Sequence, residues 1–467
     1  MNELSQLDDA REPRPTPAER RSDGKARRKD TPRSAHADWK PATDRVDPVS
    51  ILLEQDESRL QPLVPIRHAR MAESAFAFFR GGAAIMAADL ATTPSSGLTA
   101  QLCGDAHLAN FGSFASPERR QVFDLNDFDE TLPGPWEWDV KRMATSFVLA
   151  ARDNGFGESD AHDAAVKSVA SYREAMAALA SARQLDVWYW QLSVEAIRAA
   201  APSKSARKQL DKDAKKWQGK NSQRALKKLA ETVDGRLRIK SDPPLLLPLR
   251  ELSQAVGPDE LREQVVSSFR EYLDSLQDDR RHLLQRYRVL DVALKVVGVG
   301  SVGTRCLIVL LVGRDEDDPL FLQIKEAQES VLEAHLTPST YPQHGQRVVE
   351  GQRLIQSTSD IFLGWSSGSD ADYYWRQFHD MKGSANVAAM DPQRLNSYAN
   401  GCGGTLAHAH ARSGDAAAIS GYLGKGDSFD RAVGEFAVSY AAQNEDDYSA
   451  FTQAISTGRV EVATEGS

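Results

Sequence analysis

The spacing of apolar positions changes several times along this chain, and each change marks a structural boundary. From Ile66 to Leu90 the stretch HARMAESAFAFFRGGAAIMAADL has apolar residues at helical spacing, weakened locally by Gly81 and Gly82. Two short strand patterns, TAQLC and QVFDLNDFDE, then flank the polar loop GDAHLANFG and the turn FASPERR. From Trp136 to about Arg288, Ala and Leu recur at helical periods and predict a largely helical region, broken near Pro202 and at Pro243 and Pro244. Between Leu290 and Ala327 the runs ALKVVGVGSVGT, RCLIVLLVG and PLFLQIKEA, with the acidic turn RDEDD, predict three successive antiparallel strands. A helical pattern, HGQRVVEGQRLIQST, follows, then two short strands in DIFLGW and DYYWRQFH, then helices to the end.

These changes divide the chain into a helical part, 46–289, a β-rich part, 290–383, and C-terminal helices, 384–455, that return to the first part. Residues 1–45 have almost no large apolar side chains to offset the entropy of ordering and are expected to be disordered, as is 456–467. A length of 467 residues exceeds one ordinary core, and 41% hydrophobic with 26% charged residues is the balance of a folded, soluble protein.

A net charge of -9 argues against general nucleic-acid binding, although the stretch Lys204 to Lys240 is strongly basic, either a solvated helical face or a site for an anionic partner. Cys103, Cys306 and Cys402 are too far apart for a disulfide framework or a paired zinc site. No apolar run has membrane-spanning length, so a cytoplasmic protein without a membrane partner is expected.

The chemistry concentrates in Cys103-Gly104-Asp105-Ala106-His107-Leu108-Ala109-Asn110, where a carboxylate precedes a carboxamide by five residues. Phosphoryl transfer needs a carboxylate to orient and deprotonate the attacking hydroxyl, and an uncharged oxygen nearby to help hold Mg²⁺. Gly104, Asp105, His107 and Asn110 match the HGDxHxxN loop, so the stretch resembles the protein-kinase-like superfamily and its aminoglycoside and choline phosphotransferase branch. Cys103 replaces the usual first His. The resemblance implies that Asp105 is the base, that His107 belongs to the catalytic loop, and that Asn110 is a metal ligand.

Asn126-Asp127-Phe128-Asp129-Glu130 resembles the metal-binding acid motif of the same superfamily. Asp127 is the first choice of ligand, with Asp129 and Asp124 as rivals. Asp139 resembles the helix-borne Asp that braces the catalytic loop through its backbone amides. Singly, each acid is also a turn former or helix cap.

The second constellation is Gly298, Gly300, Ser301 and Gly303, followed by Lys325. Lying between strands rather than before a helix, it fits a phosphate-covering hairpin better than a dinucleotide turn. Lys325 would carry charge to the α- and β-phosphates of ATP. Glu350 is its expected ion-pair partner, with Glu329 and Glu333 as alternatives, and a hinge is expected near His379 to Lys382.

The resemblance implies an α+β, protein-kinase-like two-lobe fold, with a small antiparallel β lobe and a larger helical lobe. The motif order is circularly permuted, which is permitted when the old termini lie close together at the surface. AFFRGGAA, GDAHLANFG, FDLNDFDE and KVVGVGSVGTR also resemble a bacterial family of unknown function, DUF2252, over roughly residues 45 to 450. The implied activity is ATP- and Mg-dependent phosphoryl transfer to an unidentified small-molecule or protein hydroxyl. The alternatives are AMP transfer on the same fold and a non-catalytic ATP sensor.

Overall fold

The computed structural model describes residues 15–201, 203–252, 258–296, 302–378 and 381–463. The N-terminal stretch, expected to be disordered, is folded from residue 15 onward. Thr16 and Glu19 form a capping box ahead of Pro17, starting the helix Pro17–Ala26. The arginines that follow bind the end of another helix, Ala416–Leu423: Arg28 donates to the carbonyls of Tyr422 and Gly421 (2.8 and 2.5 Å), and Arg33 to that of Leu423 (2.6 Å). A helix C-terminus offers unpaired carbonyls and partial negative charge, so these cations have fixed partners some 390 residues away in sequence. Arg45 likewise bridges Asp89 and Asp447 (both 2.7 Å). The C-terminal stretch is also folded to residue 463. Val460 is buried with Val49, Leu52 and Phe451, the Ala463 amide donates to Pro65 O (3.0 Å), and His68 Nδ1 meets Glu461 O (2.7 Å).

The region Ile66 to Leu90 is three helices, Val64–Met71, Ala75–Gly81 and Ala83–Leu90; Ser74 caps the second, and Gly82 separates the second from the third. Strand β1 (Thr99–Leu102) pairs antiparallel with β4 (Leu132–Pro135) around a hairpin of β2 (Phe111–Ala115) and β3 (Gln121–Leu125). Helices Glu137–Asp153, Glu158–Leu179, Pro392–Ser413 and Ser428–Ser456 pack around these strands into the main core, so the C-terminal helices join the first part of the chain.

The region 136–288 is less helical than its composition predicts. Within it β5 (Ala230–Val233) and β6 (Arg236–Ile239) form a hairpin turned by Asp234 and Gly235, both at positive φ, and β7 (Leu246–Pro248) follows. An Asp-Gly pair between alternating residues favours such a turn, and here it overrides helical surroundings.

β8 (Arg288–Lys295), β9 (Cys306–Val312) and β10 (Pro319–Ala327) are consecutive antiparallel neighbours, as their pattern predicts. With β7, β11 (Gly364–Ser367) and β12 (Asp372–Gln377) they form a six-stranded sheet in the order β11-β12-β10-β9-β8-β7. Alternation along β10 sends Leu320, Leu322 and Ile324 to one face, packed with Tyr272 and Trp375, and Phe321 to the other, packed with Ala225 and Leu229. β13 (Gly383–Ser384) leaves this sheet and pairs with β2. The fold is α+β, with several antiparallel sheets. Among the described residues no helix is long and apolar enough to cross a membrane.

Candidate active site

The loop after β1 is held from behind by the helix Glu137–Asp153. Asp139, in its first turn, accepts the amides of Cys103 (2.7 Å, Oδ2) and Gly104 (3.0 Å, Oδ1), and His410 Nε2 lies 3.2 Å from Oδ2. Gly104 has φ +85°, and a Cβ there would strike the backbone of Glu130, so both conformation and space require glycine. Ser146, two turns farther along the helix, accepts the Leu108 amide (2.9 Å). One carboxylate and one hydroxyl on a single helix thus fix both ends of the loop.

Arg142, three residues after Asp139, brings its Nε to Asp105 Oδ1 at 2.5 Å while donating to Phe79 O at 3.0 Å. His107 Nε2 lies 3.5 Å from Asp105 Oδ2. The imidazole is buried, and burial pulls its pKa down to about 4 despite the nearby carboxylate, so it is neutral at pH 7. Asn110 donates from Nδ2 to the Asp105 carbonyl (2.7 Å), which leaves its side-chain oxygen as an acceptor. The Asn126 amide donates to Asn110 O (2.8 Å), linking this loop to the acid-rich segment after β3.

The three candidate metal acids separate cleanly. Asp124 is buried and accepts the amides of Leu125 (2.8 Å) and Ser357 (2.7 Å), which is a structural use; burial raises its pKa. Asp127 and Asp129 instead converge on Lys325, with Nζ 3.3 Å from Asp127 Oδ1 and 2.6 Å from Asp129 Oδ2. The Tyr374 hydroxyl donates to the other oxygen of Asp129 (2.6 Å). Both carboxylates stay about a third exposed, at 35% and 30%, whereas Lys325 is 3% exposed. Burial would push the Asp127 pKa up, but Lys325, Arg376 and Lys382 outweigh it and hold the group below the usual carboxylate range. The same acids overcome burial at Lys325 and raise its pKa, so the ammonium stays charged.

Lys325 does not pair with Glu350. That acid meets Arg353 one turn along the helix His344–Ile355 (2.8 Å), and Arg353 also donates to Leu363 O (2.7 Å). The helix turns Arg347 toward the acid segment: its guanidinium donates to Thr131 O (2.8 Å), Asp129 O (2.9 Å) and Gln328 O (2.7 Å). Glu333 lies 3.6 Å from Arg347, and Glu329 acts on the same guanidinium. The helix therefore supports the acid segment through an arginine, and Asp127 and Asp129 supply the countercharge that the lysine needs.

Gly298, Gly300 and Ser301 lie outside the described residues, as do His379 and Asp380 of the expected hinge. Gly303 is described, at φ +92°. Its carbonyl accepts the Leu60 amide (2.7 Å), and the Val302 carbonyl accepts Arg59 Nη1 (2.6 Å). Arg59 also lies in the field of Asp129, Glu130 and Glu326. Sequence reasoning missed Arg59, Arg142, Arg347 and Arg376, and placed Lys382 in a hinge rather than in the field of Asp127 and Asp129. Arg376 alone had a local signal: in DYYWRQ, alternation puts it on the face of Tyr374, and its guanidinium donates to Gln323 (3.0 Å) and Asn126 O (3.2 Å).

The donor set can be tested against a hard divalent cation. Among the described residues no three of His, Cys, Asp and Glu gather in metal-holding geometry. A cation here would rest on Asp127, Asp129, the Asn110 carboxamide and oxygens from outside the protein. Mg²⁺ is commonly held in that way, with one or two carboxylates, waters and substrate phosphates. Carboxylate and carboxamide oxygens are the donor chemistry such an ion takes.

The chain belongs to the family described as an uncharacterized protein conserved in bacteria (DUF2252), which it matches over residues 59–454. No curated protein and no solved structure matches it.

Proposed function

We propose that the protein is an ATP- and Mg²⁺-dependent phosphotransferase with a circularly permuted, protein-kinase-like arrangement of two lobes, acting on a hydroxyl acceptor. The observation that carries this reading is the convergence of Lys325 on Asp127 and Asp129, 198 and 196 residues away in sequence, at 3.3 and 2.6 Å. The buried lysine takes its countercharge from two acids that stay about a third exposed, which leaves both carboxylates accessible to a ligand. The acids belong to the segment tied to the Asp105 loop through Asn110 and Asn126, which supports assigning base, metal acids and phosphate-binding lysine to one nucleotide.

In this reading Asp105 accepts the proton of the acceptor hydroxyl, and Arg142 with Asn110 fixes its position. Asn110, Asp127 and Asp129 hold Mg²⁺, which when bound neutralises charge on the phosphates. Lys325 binds the α- and β-phosphates, and Tyr374 and Arg347 keep the acids in place when it does. The two basic groups beside Asp127, Arg376 and Lys382, add to a field that attracts a polyanion.

Incubation with γ-labelled and α-labelled ATP in cell extract tests the reaction. Transfer of the γ label alone is expected; transfer of the α label would make it an AMP transferase, and transfer of neither a sensor. Asp127→Ala is expected to keep its fold and lose Mg²⁺-dependent ATP binding by calorimetry. Unchanged affinity would move the metal role to Asp129 or remove it.

A further inference from the structure

The segment 204–240 holds thirteen Lys and Arg against four Asp and Glu in a chain of net charge -9, so the rest of the molecule is markedly acidic. Its place in the fold puts that charge beside the candidate site. The helix Ser222–Leu229 packs Ala225 and Leu229 on the sheet face that carries Phe321, and strand alternation places Gln323 and Lys325 on that same face. The helix Lys204–Gln218 reaches β13, where the Trp217 ring lies against Gly383 and the Met381 amide donates to Lys220 O (2.8 Å). Between these two anchor points is Lys382, which lies in the field of Asp127 and Asp129. The basic segment therefore touches both neighbours of Lys382, and through that residue adjoins the acids of the site.

Lys208, Lys212, Lys215, Lys216, Lys227 and Lys228 are exposed, and none has an ion-pair partner among the described residues. Burial lowers the Lys220 pKa, and the neighbouring charges of Lys216, Arg224 and Lys228 lower it further. Unpaired like charges held together cost free energy, and a bound anion would recover it.

Three kinds of anion could answer. An anionic membrane is disfavoured because the apolar residues Trp217, Ala225 and Leu229 face inward and leave none to insert. Nucleic acid is disfavoured because 204–240 presents no exposed aromatic ring for base stacking, and the acidic remainder would repel a long polymer. A short acidic peptide needs only charge, and lysines serve as adaptable point charges for carboxylates.

We propose that this surface binds an acidic stretch of a polypeptide and presents a neighbouring Ser, Thr or Tyr hydroxyl to Asp105, an inference that rests on the phosphotransferase reading above. The test uses the full chain with three fluorescent synthetic peptides, each with one Ser flanked by acidic, neutral or basic residues. The acidic peptide is expected to bind about tenfold or more tighter than the neutral one at low salt and to weaken as salt is added. Lys215→Glu with Lys216→Glu, both exposed, is expected to cost about tenfold in that affinity at unchanged melting temperature; Lys227→Glu with Lys228→Glu serves the same purpose should the first pair unfold. Equal affinity for the neutral peptide overturns the proposal. So does tighter binding of a single-stranded oligonucleotide or of phosphatidylserine vesicles. Transfer from γ-labelled ATP is read on the same samples: faster labelling of the acidic peptide supports the proposal, and equal labelling of all three overturns it. Tight acidic-peptide binding without peptide labelling overturns the presentation of a hydroxyl to Asp105, and absence of γ-label transfer in cell extract as well removes the phosphotransferase reading, so the two failures are distinguishable.

Discussion

Arg142 and Lys325 are both buried cations, each 3% exposed and each ion-paired to acids of the candidate site, yet their surroundings differ in kind. Arg142 divides its donors among the Asp105 carboxylate, the Phe79 carbonyl and the Met86 sulfur, and lies over the Phe79 ring at 4.3 Å. Nothing about it can move without stranding a buried group. Among the described residues Lys325 pairs with two carboxylates, both about a third exposed, with the Tyr374 ring 5.2 Å away. Water or a cation could take over those carboxylates when the lysine turns elsewhere. The first cation builds the site, and the second is free to serve it.

The largest expected effect concerns the group that Arg142 holds. Asp105→Asn keeps the size of the side chain and removes its basic oxygen, so ATP affinity should survive while turnover falls roughly 10² to 10⁴-fold. Calorimetry and the labelled-extract assay run side by side would show it. Equal turnover of variant and wild type removes Asp105 from the mechanism.

The comparison itself is broken or sharpened by removing each cation in turn. Arg142→Met leaves the Asp105 carboxylate, 20% exposed, without its cation and strands a buried carbonyl, and should cost roughly 3 kcal/mol in urea unfolding. Lys325→Met leaves carboxylates that water can reach, and should cost only about 1–2 kcal/mol while abolishing ATP binding. Equal stability losses would mean that Lys325 is as structural as Arg142.

The same contrast explains what was legible in the sequence. Asp105, Asn110, Asp127 and Asp139 lie within one stretch of chain whose spacing survives in the fold, and β8 to β10 carry a pattern strong enough to place Lys325 on a strand. Partners chosen across long loops left no such trace. The Arg28 and Arg33 contacts to a helix end resemble solvated charge until the helix Ala416–Leu423 is present. The Asp234-Gly235 turn was readable, but the Lys-rich composition around it pointed to helix. That Arg347, not Glu350, faces the acid segment depends on a helix rotation that periodicity alone does not fix.

A smaller effect follows from His107. Its folded pKa of about 4 lies below the ordinary value of 6.5, so between these values the unfolded chain binds more protons. Stability from this group is complete above pH about 6.5 and is lost as pH falls toward 4, by up to about 3 kcal/mol. Melting at pH 7 and pH 4.5 should show a larger drop for wild type than for His107→Gln, which cannot titrate. Equal drops would assign acid sensitivity to other groups.

The smallest expected effect is the most direct check on how the lysine is balanced. In the protein-kinase-like pattern an acid on the helix His344–Ile355 would hold Lys325, and neutralising it would cost activity. Here Glu350 touches Arg353, whose other hydrogen bond to Leu363 O survives without it. The pair is about one-third exposed on each side, the setting in which an i,i+3 ion pair contributes a few tenths of a kcal/mol. Glu350→Gln should therefore change stability by less than about 0.5 kcal/mol and turnover by less than about twofold, with ATP affinity unchanged. Asp129→Asn should weaken ATP binding, because Asp129 holds Lys325 at 2.6 Å and is also a proposed metal ligand. A large loss in Glu350→Gln with little change in Asp129→Asn would reverse the assignment, requiring the helix to rotate and Lys325 to exchange its acids for Glu350 when nucleotide binds.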